Sequence, residues 1–331
     1  MKSVVIGKGV ESIYFQAFAG CEKLETVYCF AETSPNCNVI QGRPSPFLNS
    51  NISNATLVVP ASLLSQYKTA DEWKNFGTIK AWEENLILSD GTTTEFENLV
   101  TLTYDNIDYT RNFTNTKWQS LYVPFTMRCE DWKDDYDVAY INSVRQYDND
   151  NDGTIDETIM DVLQITGGEL YPNMPYLIKA KTTGEKTITL QNATLYPTEE
   201  NSIDCSTMLS TFTFTGTYST IPAATLEENG YYAMGGGGLI MTNGTSNLKP
   251  FRWYMGITSR SPMYNTSTDN PSRISVHVIG EEDDMETSLY GVAREEELDD
   301  QIFNFNGQMM DASEPLVPGL YIKNGKKVII R

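Results

Sequence analysis

The densest run of oxygen donors in the chain is Asp148-Asn149-Asp150-Asn151-Asp152-Gly153-Thr154-Ile155-Asp156. A hard divalent cation collects side-chain and backbone oxygens in this kind of alternating order. Here Asp148, Asp150, Asp152 and Asp156 would supply carboxylates, Thr154 a backbone carbonyl, and Gly153 the sharp turn. Helix–loop–helix calcium sites end on a bidentate Glu, whereas the corresponding residue here is Ile159. The spacing therefore predicts a loop between two strands that holds Ca2+ in a structural role. The competing reading is an acidic turn, in which Asp and Asn serve tight backbone geometry.

Catalytic chemistry finds little to build on. The chain has one histidine, His277, inside the alternating stretch Ile274–Ile279. A Ser–His or Cys–His nucleophile would have to use it. A lone histidine on a strand is expected to be a surface or packed residue. No G-x-S-x-G, H-E-x-x-H or phosphate-loop pattern occurs. The Gly235–Gly238 run lacks the Lys-Ser/Thr that would follow it in a phosphate cradle, and reads as a hairpin tip. The 44 acidic residues allow a glycosidase-like carboxylate pair, but no spacing singles one out. No catalytic residue is assigned. Tyr231, Tyr232, Trp253 and Tyr254 offer flat faces on which sugar C–H groups stack, against the alternative that they fill a core.

The elements that must position these groups follow from composition and pattern. In 331 residues, 40% are hydrophobic and 21% charged, enough for two or three domains with buried cores. A formal charge of −20 repels phosphate backbones and makes nucleic acid a poor partner. No run of about 18 apolar residues is present, so no helical membrane span is expected. Met1–Val10 lacks the apolar stretch of a signal peptide, and the chain reads as an internal fragment of a longer precursor. The five cysteines, at 21, 29, 37, 129 and 205, form no C-x-x-C pair. The spacing of Cys29 and Cys37 would allow a bridge.

Met1, Val4 and Ile6 are echoed 23 positions later by Leu24, Val27 and Cys29. A period of about 20–29 residues with this apolar spacing reads as a leucine-rich-repeat solenoid, entered partway through an array. The pattern Val10, Ile13, Ala17, Phe18, Cys21, Leu24, Val27 resembles the BspA-like leucine-rich repeats of bacterial surface proteins. The stretch Thr56–Phe76 is similar to the segment that closes such arrays, with Leu63, Leu64, Tyr67, Trp73 and Phe76 forming a helical cap. An insertion at 31–53, rich in Asn, Ser and Pro, should be a loop.

From residue 86 the pattern changes to many short strands separated by turn formers, which predicts an antiparallel β-sandwich or jelly roll. Trp118–Phe125 and Asn173–Ala180 resemble a sandwich module attached behind BspA-like repeats, and Ile302–Arg331 looks like a C-terminal sorting tail. The expected fold class is mainly β with minor α. A leucine-rich-repeat end module with helical cap spans 1–82, a β-sandwich 83–285, and a linker with a small β-hairpin tail 286–331. The resemblance implies a non-catalytic, extracellular or cell-surface binding and adhesion protein. Its partner would be a host or bacterial surface protein or a glycan. A carbohydrate-binding module and a glycoside hydrolase are the alternatives. The exposed edge of the repeats invites self-association.

Overall fold

A computed structural model describes residues 1–37, 42–149, 155–260 and 273–279, together with the backbone of four strands between 302 and 330. Strand dominates, and the chain separates into two compact units, Met1–Glu281 and Glu282–Arg331.

The first unit opens with a parallel sheet of β1 (Ser3–Ile6), β2 (Thr26–Cys29), β3 (Thr56–Val59) and β4 (Thr78–Ala81), bonded in that order. Val4 lies opposite Val27, so the 23-residue period of the sequence is the register of the first pair. Val27 lies opposite Leu57, and the longer step between them is the expected insertion. Alternate residues point inward, and Ile6, Val27, Cys29, Leu57 and Val59 form a core with Leu24 and Phe47. After Pro60 come a 3-10 turn at Ala61–Leu63, the single-turn helix α1 (Leu64–Tyr67) and another 3-10 turn at Trp73–Asn75. They bring Tyr67, Trp73 and Phe76 into this core. They do not end the sheet, however, because β4 pairs in parallel with β3 beyond them.

All five cysteines are free. Cys29 and Cys37 are both buried but unbridged. The Cys29 thiol meets the Tyr67 hydroxyl at 3.1 Å, and the Cys37 thiol points to the Pro35 carbonyl at 3.7 Å. Burial pushes both thiols up, Cys37 to about 12 with Glu72 adding to the shift, so neither is a thiolate near neutrality.

Tyr28, Phe30 and Trp82, on or next to the parallel strands, pack against the core of the strands that follow. These begin with β5 (Asn85–Ser89), β6 (Leu102–Phe113), β7 (Gln119–Leu121), β8 (Met127–Arg128), α2 (Cys129–Trp132), β9 (Tyr136–Tyr147) and β10 (Glu157–Ile165). They continue with β11 (Glu169–Leu170), β12 (Tyr176–Ala180), β13 (Gly184–Leu195), β14 (Ser202–Ser206) and β15 (Ser210–Thr217). Then come α3 (Ala223–Glu228), β16 (Tyr232–Gly235), β17 (Gly238–Met241), β18 (Arg252–Ser259) and β19 (Arg273–Ile279).

A ten-stranded curled sheet runs β14-β15-β18-β16-β17-β19-β10-β9-β12-β7, and a three-stranded sheet runs β13-β6-β5. Most pairs are antiparallel, but β5–β6 and β10–β19 are parallel, which the expectation of a purely antiparallel module did not include. Parallel partners need a long crossover rather than a hairpin, and β11 to β18 supply it between β10 and β19. One core holds Tyr109 and Phe113 of β6, Ile188 and Leu190 of β13, and Val138, Tyr176 and Ile178 of β9 and β12. A second core takes Ala139, Ile141 and Leu177 from the opposite faces of β9 and β12, with Phe212, Phe214, Trp253 and Met255. Strands β9 and β12 are thus buried on both sides, which is why they read as apolar runs.

The second unit contains β20 (Ile302–Asn304), β21 (Met309–Met310), β22 (Gly319–Lys323) and β23 (Lys326–Ile330) in the antiparallel order β21-β20-β22-β23. Lys323 lies opposite Lys326, as a tight hairpin requires. The Asn306-Gly307 and Asn324-Gly325 turns and the acidic linker lie outside the described residues.

One close approach inside the large sheet tests the packing. A Cβ on Gly216 of β15 would overlap the Tyr122 ring. That ring is fully buried, its hydroxyl donates to the Glu199 carbonyl, and it accepts from Asn201 N at 2.8 Å, so it cannot give way. Gly216→Ala should cost about 3 kcal/mol, the upper end of overpacking effects, in urea denaturation. Gly9→Ala, with nothing within 4 Å of the added carbon, should be near neutral.

Candidate functional site

The 148–156 loop joins β9 to β10. Asp156 N bonds the Tyr147 carbonyl at 2.9 Å, and the Asp156 carboxylate accepts from Asn149 N at 2.7 Å, which closes the base of the loop. Of the expected ligands, Asp148 and Asp156 are described, while Asp150, Asp152 and Thr154 lie outside the described residues. Among the described residues no group of three or more His, Cys, Asp or Glu side chains is placed to hold a metal.

The four aromatics divide by strand geometry. Successive residues on a strand face opposite ways, so Tyr232 and Trp253 enter the second core, both fully buried, while Tyr231 and Tyr254 turn to the other face. Tyr232 and Trp253 therefore cannot receive a ligand. The Trp253 indole N–H donates to the Tyr176 carbonyl at 2.5 Å, which satisfies its polar end inside the core. Tyr231 and Tyr254 remain half-buried, with ring centroids 4.6 Å apart at an angle of 38°. The resulting surface is stepped rather than flat.

His277 belongs to a cluster that sequence spacing did not reveal. On β10, Asp161 stands directly opposite Ser143 of β9 and His277 of β19. Its carboxylate accepts from Arg145 Nε at 2.5 Å and Nη2 at 2.6 Å, His277 Nδ1 at 2.8 Å and Ser143 Oγ at 3.2 Å. Arg145 also bonds the Tyr147 hydroxyl and lies 5.5 Å over its ring. The carboxylate can only accept, so Nδ1 of His277 carries the proton toward it. Ser143 contacts the carboxylate rather than the imidazole. That is the pattern of a structural clip, not of a nucleophile aligned with a base. The sequence signal was faint: Asp161 sits between Met160 and Val162, and His277 between Val276 and Val278.

A different surface has the form of a binding site. The outer face of the parallel sheet carries Thr26 and Tyr28 of β2, Thr56 and Val58 of β3, and Lys80 of β4. It opens onto a cavity of about 290 Å³ where the sheet meets Leu86 of β5 and Tyr104 of β6. Trp82 forms the hinge of the wall. Its ring lies 4.5 Å from Tyr104, 6.0 Å from Tyr28 and 5.2 Å from Phe30. Burial raises the Tyr28 and Tyr104 phenols, so both stay neutral donors at physiological pH. Aromatic walls with a rim of hydroxyl, amide and charged groups are the usual make-up of a ligand groove.

The Asp161 clip carries a pH dependence. Burial alone would raise its carboxyl, but the bonds from Arg145, His277 and Ser143 outweigh burial and hold it below the usual value. A depressed folded-state value means that the stabilisation is complete above the unfolded value of about 3.9 and is lost as pH falls through the folded one. Urea midpoints should therefore fall steeply below about pH 4 in the wild type. Asp161→Asn should be less stable at pH 7 but show a flatter acid limb; equal slopes would exclude the clip. No helix among the described residues is long and apolar enough to cross a membrane. The chain matches no family model, no curated protein and no solved structure.

Proposed function

We propose that this chain is part of a non-catalytic binding and adhesion protein, secreted or displayed at a bacterial surface, of the BspA-like leucine-rich-repeat type. The observation that carries the reading is the aromatic groove on the outer face of the parallel sheet. Four short parallel strands, the first two in register at a 23-residue step, support a repeat-type end module. The layered sheets behind it support a sandwich-type module that backs the groove rather than working alone. The ligand, a surface protein or a glycan, would lie across Tyr28 and Trp82 and meet Lys80 and Glu83 at the rim.

An array of mucin-type, plant and bacterial oligosaccharides and immobilised extracellular-matrix proteins tests this. Binding to at least one class is expected. It should weaken tenfold or more on Thr56→Arg, which fills the groove, and on Lys80→Glu, which reverses a rim charge, with unchanged melting temperature. Binding that survives both variants would place the ligand elsewhere. A second reading, a carbohydrate-binding face, is favoured by the half-exposed Tyr231–Tyr254 pair. Loss of glycan signal in Tyr231→Ala but not in Thr56→Arg would select it.

We also infer a structural Ca2+ in the 148–156 loop, on the strength of its donor order and the closure of its base by Asp156. Calorimetric titration should give saturable binding, and a chelator should lower the thermal midpoint. No heat and no shift would reduce the loop to an acidic turn.

A further inference from the structure

The molecule is acidic overall, with 44 Asp and Glu against 24 Lys and Arg, yet one cavity gathers the opposite charge. It lies beside the β16–β17 hairpin and measures about 290 Å³. Gly235 pairs with Gly238 across a turn whose central residues, Gly236 and Gly237, have φ of 62° and 89°. Only glycine takes both conformations without strain, which is what a tight two-residue hairpin needs. Arg111, Arg252 and Lys249 line the cavity, and among the described residues no Asp or Glu does.

The charge there is undercompensated. Arg111 is 1% exposed, and its Nε has no hydrogen-bond acceptor. Asp90 Oδ2 stands 3.7 Å from that atom and is shared with Arg252 Nη2. One carboxylate thus faces two guanidinium groups, with the Lys249 ammonium exposed beside them. Two further cations reach the rim, where Lys117 Nζ and Arg273 Nη2 donate to the Gly236 carbonyl at 3.2 and 3.5 Å. Burial, with repulsion from Arg252, pushes the Arg111 guanidinium down to about 10, against the opposing pull of Asp90. A buried donor without an acceptor is destabilising, and an incoming anion would remove much of the imbalance.

We propose that this cavity binds a carboxylated sugar unit, its carboxylate received by Arg252 and Lys249 with Arg111 behind them. Arg252 is already held by Asp90 through Nη2 and by the Phe251 carbonyl through Nη1, so it offers the incoming carboxylate its charge and remaining N–H groups, while the Lys249 ammonium supplies the mobile contact. Trp118, 8% exposed, gives the wall an apolar edge, and the amide NH2 groups of Asn115, Gln119 and Asn247, whose oxygens are engaged within the protein, are donors for sugar hydroxyls. This site is separate from the aromatic groove of the parallel sheet and does not depend on it.

Calorimetry or ligand-observed NMR with glucuronate and short oligogalacturonates tests the assignment, with glucose and inorganic sulfate as comparison probes. Uronate should bind saturably and glucose at least tenfold more weakly. Lys249→Glu, at an exposed position, should weaken uronate at least fivefold with unchanged melting temperature. Asn247→Ala should weaken it too, with a somewhat lower melting temperature, because Asn247 Oδ1 also accepts from Ala223 N at 2.9 Å. A free monomer and an oligomer that bind alike would confine recognition to one sugar unit, as proposed. No uronate binding by folded protein would overturn the assignment, as would binding indifferent to both variants. Sulfate binding as tightly as uronate would make this a simple anion site and also overturn it.

Discussion

Asp90 holds two guanidinium groups inside the protein, and the sheets meet where they do because that carboxylate must be reached from both. It follows β5, Arg111 lies on β6, and Arg252 lies on β18 of the other sheet. Arg111 extends the link to β7, donating to the Ser120 carbonyl at 2.9 Å and the Gln119 amide oxygen at 2.7 Å. Its guanidinium also lies 4.9 Å over the Phe113 ring. Desolvating charges is expensive, and stranding one member of a buried pair costs about 3–5 kcal/mol. Such a network contributes little net stability over an apolar substitute. What it contributes is register: few other packings of these strands would bring one carboxylate to both guanidinium groups.

Around that polar knot the protein packs aromatic rings rather than aliphatic chains. Tyr109 lies 5.4 Å from Phe251 and 6.1 Å from Phe125, and Phe251 contacts Tyr218 and Phe96 at 6.0 and 5.9 Å. The edges and faces of such rings interlock at preferred angles and fill a wide gap between sheets with few side chains. The same chemistry continues through Tyr104 and Trp82 to the parallel sheet. The aromatic groove is therefore the rim of the core, backed by the rings behind it.

Local pattern made part of this legible. The 23-residue echo is a property of neighbouring strands and appears directly in their register. Alternation forces Tyr231 and Tyr232 to opposite faces, and likewise Trp253 and Tyr254. The sequence could show that each pair divides, but not which member turns inward. Partners far apart in the chain were illegible. Asp161 and His277 are separated by 116 residues, and nothing local distinguishes their strands as a parallel pair. A bulge between Asp161 and Val162 shifts the pairing with β9 and further hides the pattern. The same holds for Asp90, Arg111 and Arg252, which read singly as ordinary surface charges. Periodicity reports which face a residue takes, not what it meets there.

The position of β19 has a consequence for assembly. It is the last strand of the large sheet in chain order, yet it sits between β17 and β10 and joins five strands to four. During synthesis the chain emerges from its N-terminal end, at about 5–20 residues per second. Both halves are therefore complete before the strand that unites them exists. Until residue 279 leaves the ribosome, β10 presents a bare, apolar edge to whatever strand is nearest. The native sheet is thus won by timing as well as by affinity: the chain must keep its own gap open for a segment not yet made.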